Sequence, residues 1–263
     1  MALTDAFQIV SLSHSGQVRD HNEDSLASRP ELGLVILADG MGGHHGGATA
    51  SNMATTSLVD GLTQAWTPDV LKGLDRDAAK SLSQSILQAQ IKTVNGAIFE
   101  KSGSDPSLEG MGTTLVACLF YDDFLTVGHL GDSRLYRVRN ETLEQVTRDH
   151  SLVQEQLDSG MITKEDARVS NNKNFLTRAL GIDPNEGAEI HSYDVQADDI
   201  FLLCSDGLHG MVTDEDIEMT VVALKANLDL SAQQLIEAAN DAGGTDNVSV
   251  ILLKVIKRFS AKQ

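Results

Sequence analysis

Apolar and polar residues follow two different periodicities along this chain, and each predicts a type of element. Short apolar runs and strict alternations, bounded by turn-forming residues, predict strands. These strands are expected at Phe7–Ser13, Leu32–Ala38, Thr113–Tyr121, Phe124–Leu130, Arg134–Arg139, Glu189–Val195, Asp199–Cys204 and Asn247–Ile256. Asp122 and Asp123, between two of the runs, have the length of a hairpin turn.

Longer segments with apolar residues three and four positions apart predict helices. They are expected at His45–Leu62, Asp77–Lys101, His150–Ser159, Asp214–Lys225 and Ala232–Ala242. Thr213 and Asp216 resemble a capping box at the start of one of them. The predicted strands come in groups and the helices in separate blocks, which favours a layered α+β domain over a doubly wound parallel sheet.

One polar segment, Ser151–Asn174, interrupts this arrangement. It is rich in Asn and Lys and has only short helical patterns. We expect a small subdomain or mobile flap at about residues 150–175, lying over a site.

Composition limits the classes of protein that fit this pattern. The 263 residues are 41% hydrophobic and 22% charged, which is typical of a globular protein. The 38 acidic and 20 basic residues give a formal charge of -18, which opposes general binding to nucleic acid or anionic membranes.

The two cysteines, Cys118 and Cys204, lie inside apolar runs. This placement favours buried thiols in a reducing compartment over a disulfide framework or a zinc site. The N-terminus lacks the pattern of a signal peptide, and no stretch reaches the roughly 20 apolar residues that cross a bilayer. We therefore expect a cytoplasmic protein.

Candidate chemistry lies where predicted strands end or begin in aspartate: Asp39, Asp132, Asp206 and Asp246. A single Asp-Gly pair is a common turn signal. Four such positions at strand ends are not explained as well by separate turns, because neighbouring strands can bring their ends together. Carboxylates about 4 Å apart repel by roughly 4 kcal/mol at an effective dielectric constant near 20, and divalent cations relieve that repulsion. Ligands that are all oxygen indicate Mg²⁺ or Mn²⁺ rather than zinc.

The run from Arg19 to Asp24 adds Glu23, Asp24 and a guanidinium just after the first predicted strand. It is consistent with a simple polar loop. Arg19 also has the planar, bidentate donor geometry that suits a phosphate dianion.

Seven motifs in order resemble those of the bacterial type 2C metal-dependent serine/threonine protein phosphatases. They span about residues 8–255 and are Arg19-x-x-Asn22-Glu23-Asp24, Ala38–His44, Met111–Thr114, Gly131–Arg134, Leu176–Gly181, Ser205–Leu208 and Gly244–Ser249. The resemblance implies a single phosphatase domain over residues 1–263. Its fold would be an α-β-β-α sandwich, with two central antiparallel sheets flanked by helices and a metal centre at one end.

The resemblance also implies roles for individual residues. Asp39 would bridge two metal ions, with the carbonyl of Gly40 completing one site and Asp206 and Asp246 forming the other. Asp132 would hold a third, weaker ion. Water bridging the two ions would be the nucleophile in a single in-line displacement.

The remaining motif residues would support this chemistry. Glu23 and Asp24 would act through metal-bound waters, and Asn247 would orient Asp246. Arg19 would bind the phosphate oxygens. For His44, protonation of the leaving alkoxide and capping of the following helix are both open.

Two departures from the family pattern concern the flap and its surroundings. Ala48 stands where the family often has glutamate, and Asn171–Asn174 replaces a frequent His-Pro. Neither change removes a predicted ligand, but both leave the conformation of the flap and the substrate preference open.

The predicted activity is hydrolysis of phosphoserine and phosphothreonine in proteins, opposing a cognate kinase system. We expect a monomer that binds neither nucleic acid nor membranes. Three alternatives remain: a binding protein that keeps the fold without catalysis, a regulator acting on one phosphorylated signalling protein, and a phosphatase of small metabolites.

Overall fold

The computed structural model describes residues 5–42, 45–121, 123–168, 170, 172 and 174–257. Within these ranges the strands form two antiparallel sheets. Sheet I has the order β1 (Phe7–His14), β11 (Val248–Val255), β10 (Ile200–Cys204), β7 (Arg134–Arg139) and β8 (Thr142–Gln145). Sheet II has the order β2 (Asp24–Arg29), β3 (Leu34–Met41), β5 (Leu115–Tyr121), β6 (Phe124–Leu130) and β9 (Glu189–Asp194), and short β4 (Gly112–Thr113) pairs with the end of β3.

Helices cover the outer face of each sheet. The helices of the described residues are α1 (Gly46–Ala65), α2 (Pro68–Leu71), α3 (Arg76–Ser104), α4 (Leu152–Asp158), α5 (Lys164–Arg168), α6 (Asp206–His209), α7 (Asp214–Ala223) and α8 (Leu228–Asp241). Helices α1 and α3 pack on sheet II, and α7 and α8 pack on sheet I. None of the helices in the described ranges combines the length and apolar character needed to span a bilayer.

Strand β3 shows why the central strands have continuous apolar sequences. Its residues Leu34 and Ile36 face helices α1 and α3, whereas Val35 and Leu37 point into the space between the two sheets. All four side chains are fully buried. Because side chains alternate across a strand, a strand covered on both faces needs apolar residues at every position. The predicted α-β-β-α sandwich is confirmed.

Most predicted elements are present, with shifts that local capping explains. The helix predicted from His150 begins at Leu152, because the hydroxyl of Ser151 accepts a hydrogen bond from the Gln154 N–H at 3.3 Å. The helix predicted from Ala232 begins at Leu228, where Asn227 caps the first turn. The predicted capping pair is confirmed, since the Asp216 N–H donates to the Thr213 hydroxyl at 3.2 Å.

Other predicted boundaries were wrong. The strand predicted from Leu32 starts at Leu34, because Pro30–Leu32 is a 3₁₀ turn that ends at Gly33 with φ of 67°. The strand predicted as Thr113–Tyr121 is divided at Thr114, whose backbone turns to the end of β3. Strands β2 and β8 and helices α2 and α6 had not been predicted, whereas α5 lies within the segment predicted to have short helical patterns. Strands β5 and β6 form the expected hairpin, although Asp122 in its turn lies outside the described residues.

Candidate metal centre

The ends of strands from both sheets converge at one end of the sandwich and bring the acidic residues together. Asp24 opens β2 and lies opposite Asp39 near the end of β3. In sheet I, Asp206 follows β10 and Asp246 precedes β11. These two strands are antiparallel neighbours, so the end of one and the start of the other lie side by side. Asp132 occupies the turn between β6 and β7.

Asp39 lies at the centre of this cluster. Burial raises the pKa of its carboxyl well above the ordinary value, and the charges of the four other aspartates raise it further. A buried carboxylate surrounded by like charges is stable only if it takes up a proton or gains a nearby cation.

The acids beside Asp39 share this environment. Burial raises the pKa of Asp24 to about 6. The Ser205 hydroxyl donates to Asp24 Oδ2 at 2.9 Å, but Asp24 Oδ1 is buried without a hydrogen-bond partner. Asp132 is 6% exposed. Its burial raises its pKa, and repulsion from Asp206 raises the pKa further.

The backbone around Asp39 is fixed by residues that the sequence had indicated only as a motif. The Thr114 hydroxyl accepts from the Asp39 N–H at 3.0 Å, and the Thr114 N–H donates to the Asp39 carbonyl at 2.8 Å. The Thr113 hydroxyl donates to the same carbonyl at 2.8 Å. Thr114 also bonds Ser133, next to Asp132, so one threonine links two of the acidic turns. In the sequence, the only sign of this role was the hydroxyl side chains of Thr113 and Thr114. A short polar motif does not show which residues its side chains contact.

Gly40 lies against the first turn of α1 with no room for a side chain. A Cβ atom on Gly40 would approach the Gly47 carbonyl oxygen to 2.1 Å. A Cβ on Gly47 would lie 2.8 Å from the Gly40 carbonyl and 2.8 Å from the Glu23 carboxyl carbon. Real Cβ atoms do not come so close to backbone, so both positions need glycine.

Two charged residues of the loop after β1 lie beside the acids. Arg19 donates to Asp246 Oδ2 at 2.6 Å, while its side chain stays 51% exposed. Glu23 accepts a hydrogen bond from the backbone of Ala48 in the first turn of α1, where the helix dipole favours an anion. Burial nevertheless raises the pKa of Glu23.

Asn247 acts mainly on this loop rather than on Asp246. Its side-chain oxygen accepts from the Glu23 N–H at 2.8 Å. Its side-chain amide donates to the carbonyls of Ser15 and His21 at 3.0 and 2.9 Å. Only its backbone N–H contacts the Asp246 carboxylate, at 2.9 Å. The Asn247 side chain therefore orders the segment that carries Arg19 and Glu23, and its role toward Asp246 stays a prediction.

His44 lies outside the described residues. A different histidine, His209, lies at the end of α6, and its Nε2 is 3.0 Å from the Asp132 carbonyl oxygen. It lines a cavity of about 350 Å³ that extends from Asp132, Asp206 and Asp246 to the predicted flap. The flap consists of α4 and α5 and the segments that flank them.

A second cluster of metal-binding residue types, His129, His150 and Glu189, has ligand atoms within 4.8 Å of one another. Its two imidazole rings stack with centroids 4.8 Å apart and planes only 14° apart. An ion in the plane of one ring would therefore lie outside the plane of the other. Arg178 donates to Glu189 at 3.0 Å and supplies the positive charge. This cluster joins the base of the flap to Gly131, whose N–H donates to His150 Nδ1 at 3.2 Å.

The strand-end acids fit hard divalent cations better than any other group. The donors are oxygens, several are buried with raised pKa values, and Asp24 Oδ1 has no protein partner. Carboxylate and carbonyl oxygens are the ligands that Mg²⁺ and Mn²⁺ prefer.

Comparisons with known proteins agree with this arrangement. Residues 13–242 match the protein phosphatase 2C family. The serine/threonine phosphatase stp of Listeria welshimeri is 39% identical over 242 residues, covering 91% of this chain and 92% of that protein. The crystal structure of the Mycobacterium tuberculosis serine/threonine phosphatase PstP/Ppp has a TM-score of 0.83 and 35% identity, covering 95% of this chain and 99% of that one.

A further structure shows the catalytic domain of the phosphatase PstP in complex with two manganese ions. It has a TM-score of 0.78 and 36% identity, covering 96% of this chain and 99% of that one. The match to the family, the close relatives and the shared fold lead to one conclusion. This chain belongs to the protein phosphatase 2C family.

Proposed function

We propose that this protein hydrolyses phosphoserine and phosphothreonine in proteins with two divalent cations held by Asp39, the Gly40 carbonyl, Asp206 and Asp246. The observation that carries the proposal is the half-buried Asp39 carboxyl, which lies opposite Asp24 and has four aspartates close enough to raise its pKa. As a member of this family, the chain is a metal-dependent serine/threonine phosphatase that acts on phosphoproteins. The two manganese ions bound by the related PstP domain support a two-ion site here.

In this proposal the aspartates differ in their roles. Asp39, the Gly40 carbonyl, Asp206 and Asp246 would hold the two ions, and Asp132 would hold a third, weaker ion. Bound cations of this kind lower the pKa of water to give a nucleophile near neutral pH, and they offset the charge of the phosphate.

The chain itself orients the phosphate and the acids. Arg19 is half-exposed, so its guanidinium can turn from Asp246 to the phosphate oxygens and stabilise the charge of the transition state. Asn247 fixes the loop that carries Arg19 and Glu23. Glu23 and Asp24 act through water, and Asp24 is itself held by Ser205. His44 stays the candidate proton donor to the leaving alkoxide.

We place this activity in bacterial kinase signalling, where the protein would reverse a cognate serine/threonine kinase system. It would act as a cytoplasmic monomer, with residues 1–263 forming a single phosphatase domain and a flap at about residues 150–175. The acidic charge of -18 supports a partner that is neither nucleic acid nor an anionic membrane.

The proposal is tested by following Mn²⁺-dependent hydrolysis of a phosphothreonine peptide by the wild type and by Asp206→Ala. We expect hydrolysis that stops on chelation and is lost in the variant. Activity that survives either change would rule out the two-ion mechanism. Equal rates on a phosphotyrosine peptide would contradict the preference for phosphoserine and phosphothreonine.

A further inference from the structure

We propose that the cavity between the metal centre and the flap binds an apolar side chain next to the phosphorylated residue, and that Leu157 and Met211 select it. This cavity is called the flap cavity below. The inference rests on the proposed function, because it assumes that a phosphorylated peptide reaches Asp206 and Asp246.

The position of the flap cavity suits a neighbour of the phosphorylated residue. Its inner end is formed by the proposed ligands Asp132, Asp206 and Asp246. Its volume of about 350 Å³ lies at the lower end of the range for small-ligand sites. The cavity is continuous with the metal centre, so a chain whose phosphate lies at the ions would place an adjoining residue beside it.

The walls of the flap cavity away from the ions combine polar side chains with an apolar patch on two sides. Val153, Leu157 and Ala167 line it from the flap, and Met211 and Val212 line it from the segment after α6. Val153 and Val212 are buried at 9% and 7% exposure and serve as packing. Leu157 and Met211 are only half-buried, so they retain apolar surface that a substrate side chain can cover.

Charge selects against a basic side chain in the flap cavity. Asp149 is the acid of the lining that is not a proposed ligand, and Arg134 already pairs with it through bonds of 2.8 to 3.1 Å. Gln145 donates to the same carboxylate at 3.0 Å. A lysine or arginine of the substrate would therefore lose its hydration without gaining a free carboxylate as a partner. An apolar side chain has no charge whose hydration would be lost.

The test compares two phosphothreonine peptides that differ only in the residues on both sides of phosphothreonine, which are leucine in one and alanine in the other. We expect the wild type with Mn²⁺ to favour the leucine peptide in kcat/KM by about tenfold. Leu157→Gln and Met211→Gln should each reduce that preference, the ratio of the two kcat/KM values, to about threefold or less.

Met161→Gln is the matched control, because Met161 lies in the same flap, is 76% exposed and is not part of the cavity lining. It should keep the full preference. If Leu157→Gln fails to fold, Met211→Gln tests the same claim from the opposite wall. Equal rates for the two peptides in the wild type would overturn the inference, and so would a full preference in the folded cavity variants. Failure of the wild type to hydrolyse either peptide would instead contradict the proposed function.

Discussion

Asp199 and the aspartates clustered around Asp39 differ in what balances their charge. Asp199 is 1% exposed and accepts two hydrogen bonds from Arg139, at 2.7 and 2.6 Å. Asp39 is surrounded instead by other aspartates, and burial and repulsion both raise its pKa. An acid matched by arginine is part of the framework. Acids held together against their own repulsion indicate a place for a cation.

The largest expected effect comes from removing Asp39, the central carboxylate of the aspartate cluster. Asp39→Asn should lower kcat/KM for a phosphothreonine peptide by about 1000-fold or more, which is about 4 kcal/mol of transition-state stabilisation. The metal-free variant should be at least as stable as the wild type, because one repelling charge is gone. Steady-state kinetics and urea unfolding give the two numbers, and a variant that keeps wild-type activity would contradict the assignment.

Replacing Asp199, the acid paired with arginine, by asparagine should have the opposite consequences. Asp199→Asn leaves Arg139 without its carboxylate partner and should reduce the free energy of unfolding by about 3 kcal/mol. The kcat of the folded variant should stay at the wild-type value. A loss of kcat without a loss of stability would erase the distinction between the two groups.

The pH dependence of stability sharpens the comparison at Asp24. Its pKa is raised from 3.8 to about 6 in the folded protein, so the folded state binds a proton more tightly than the unfolded state. This contribution to stability is complete below about pH 4 and is lost as the pH rises through about 6. Between pH 4.5 and 7.5, the metal-free wild type should therefore lose about 2 kcal/mol relative to Asp24→Asn. The prediction would be wrong if urea unfolding gave the same difference in stability between the wild type and Asp24→Asn at the two pH values.

Added Mn²⁺ should reverse that loss at neutral pH. At a concentration 100 times its Kd, a bound ion stabilises the folded state by about 2.7 kcal/mol. The shift should be present in the wild type at pH 7.5 and smaller at pH 5, where protons compete for the same carboxylates.

The smallest of these effects concerns the glycine packed against Gly40. Gly47→Ala should weaken Mn²⁺ binding about tenfold, which is about 1.4 kcal/mol, because the new Cβ pushes on the Gly40 carbonyl. Gly96→Ala is the matched control: it also lies within a helix, but its Cβ would meet nothing within 4 Å. That control should bind Mn²⁺ normally and gain a few tenths of a kcal/mol or more in stability. Equal Mn²⁺ affinities in the two variants would remove Gly47 from the account.

Most of the fold could be predicted because its central strands are covered on both faces. Such strands need continuous apolar sequence, as in β3 and β5. Strand β2 has a single large apolar residue, Leu26, and depends on its pairing with β3 and on the contact of Ser25 with Thr55 at 2.8 Å. These are tertiary contacts that a local pattern does not contain. The order of the layers came from the family resemblance rather than from periodicity.

The site was predictable to a lesser extent. Strand-end aspartates were visible in the sequence, because Asp-Gly pairs after apolar runs are local features. Their partners were not visible: the contact of Thr114 with Asp39 spans 75 positions, and that of Asn247 with Glu23 spans 224. The close contact of Gly47 with Gly40 and the apolar patch of the flap cavity likewise follow only from packing.

The central claim is that the aspartates clustered around Asp39 hold two divalent cations, and isothermal titration calorimetry with Mn²⁺ at pH 7.5 tests it most directly. The wild type and Asp199→Asn should each bind at least two ions per chain, and folded Asp206→Asn should lose at least one of them. Absence of Mn²⁺ binding by the wild type, or an unchanged stoichiometry and affinity in Asp206→Asn, would contradict the account.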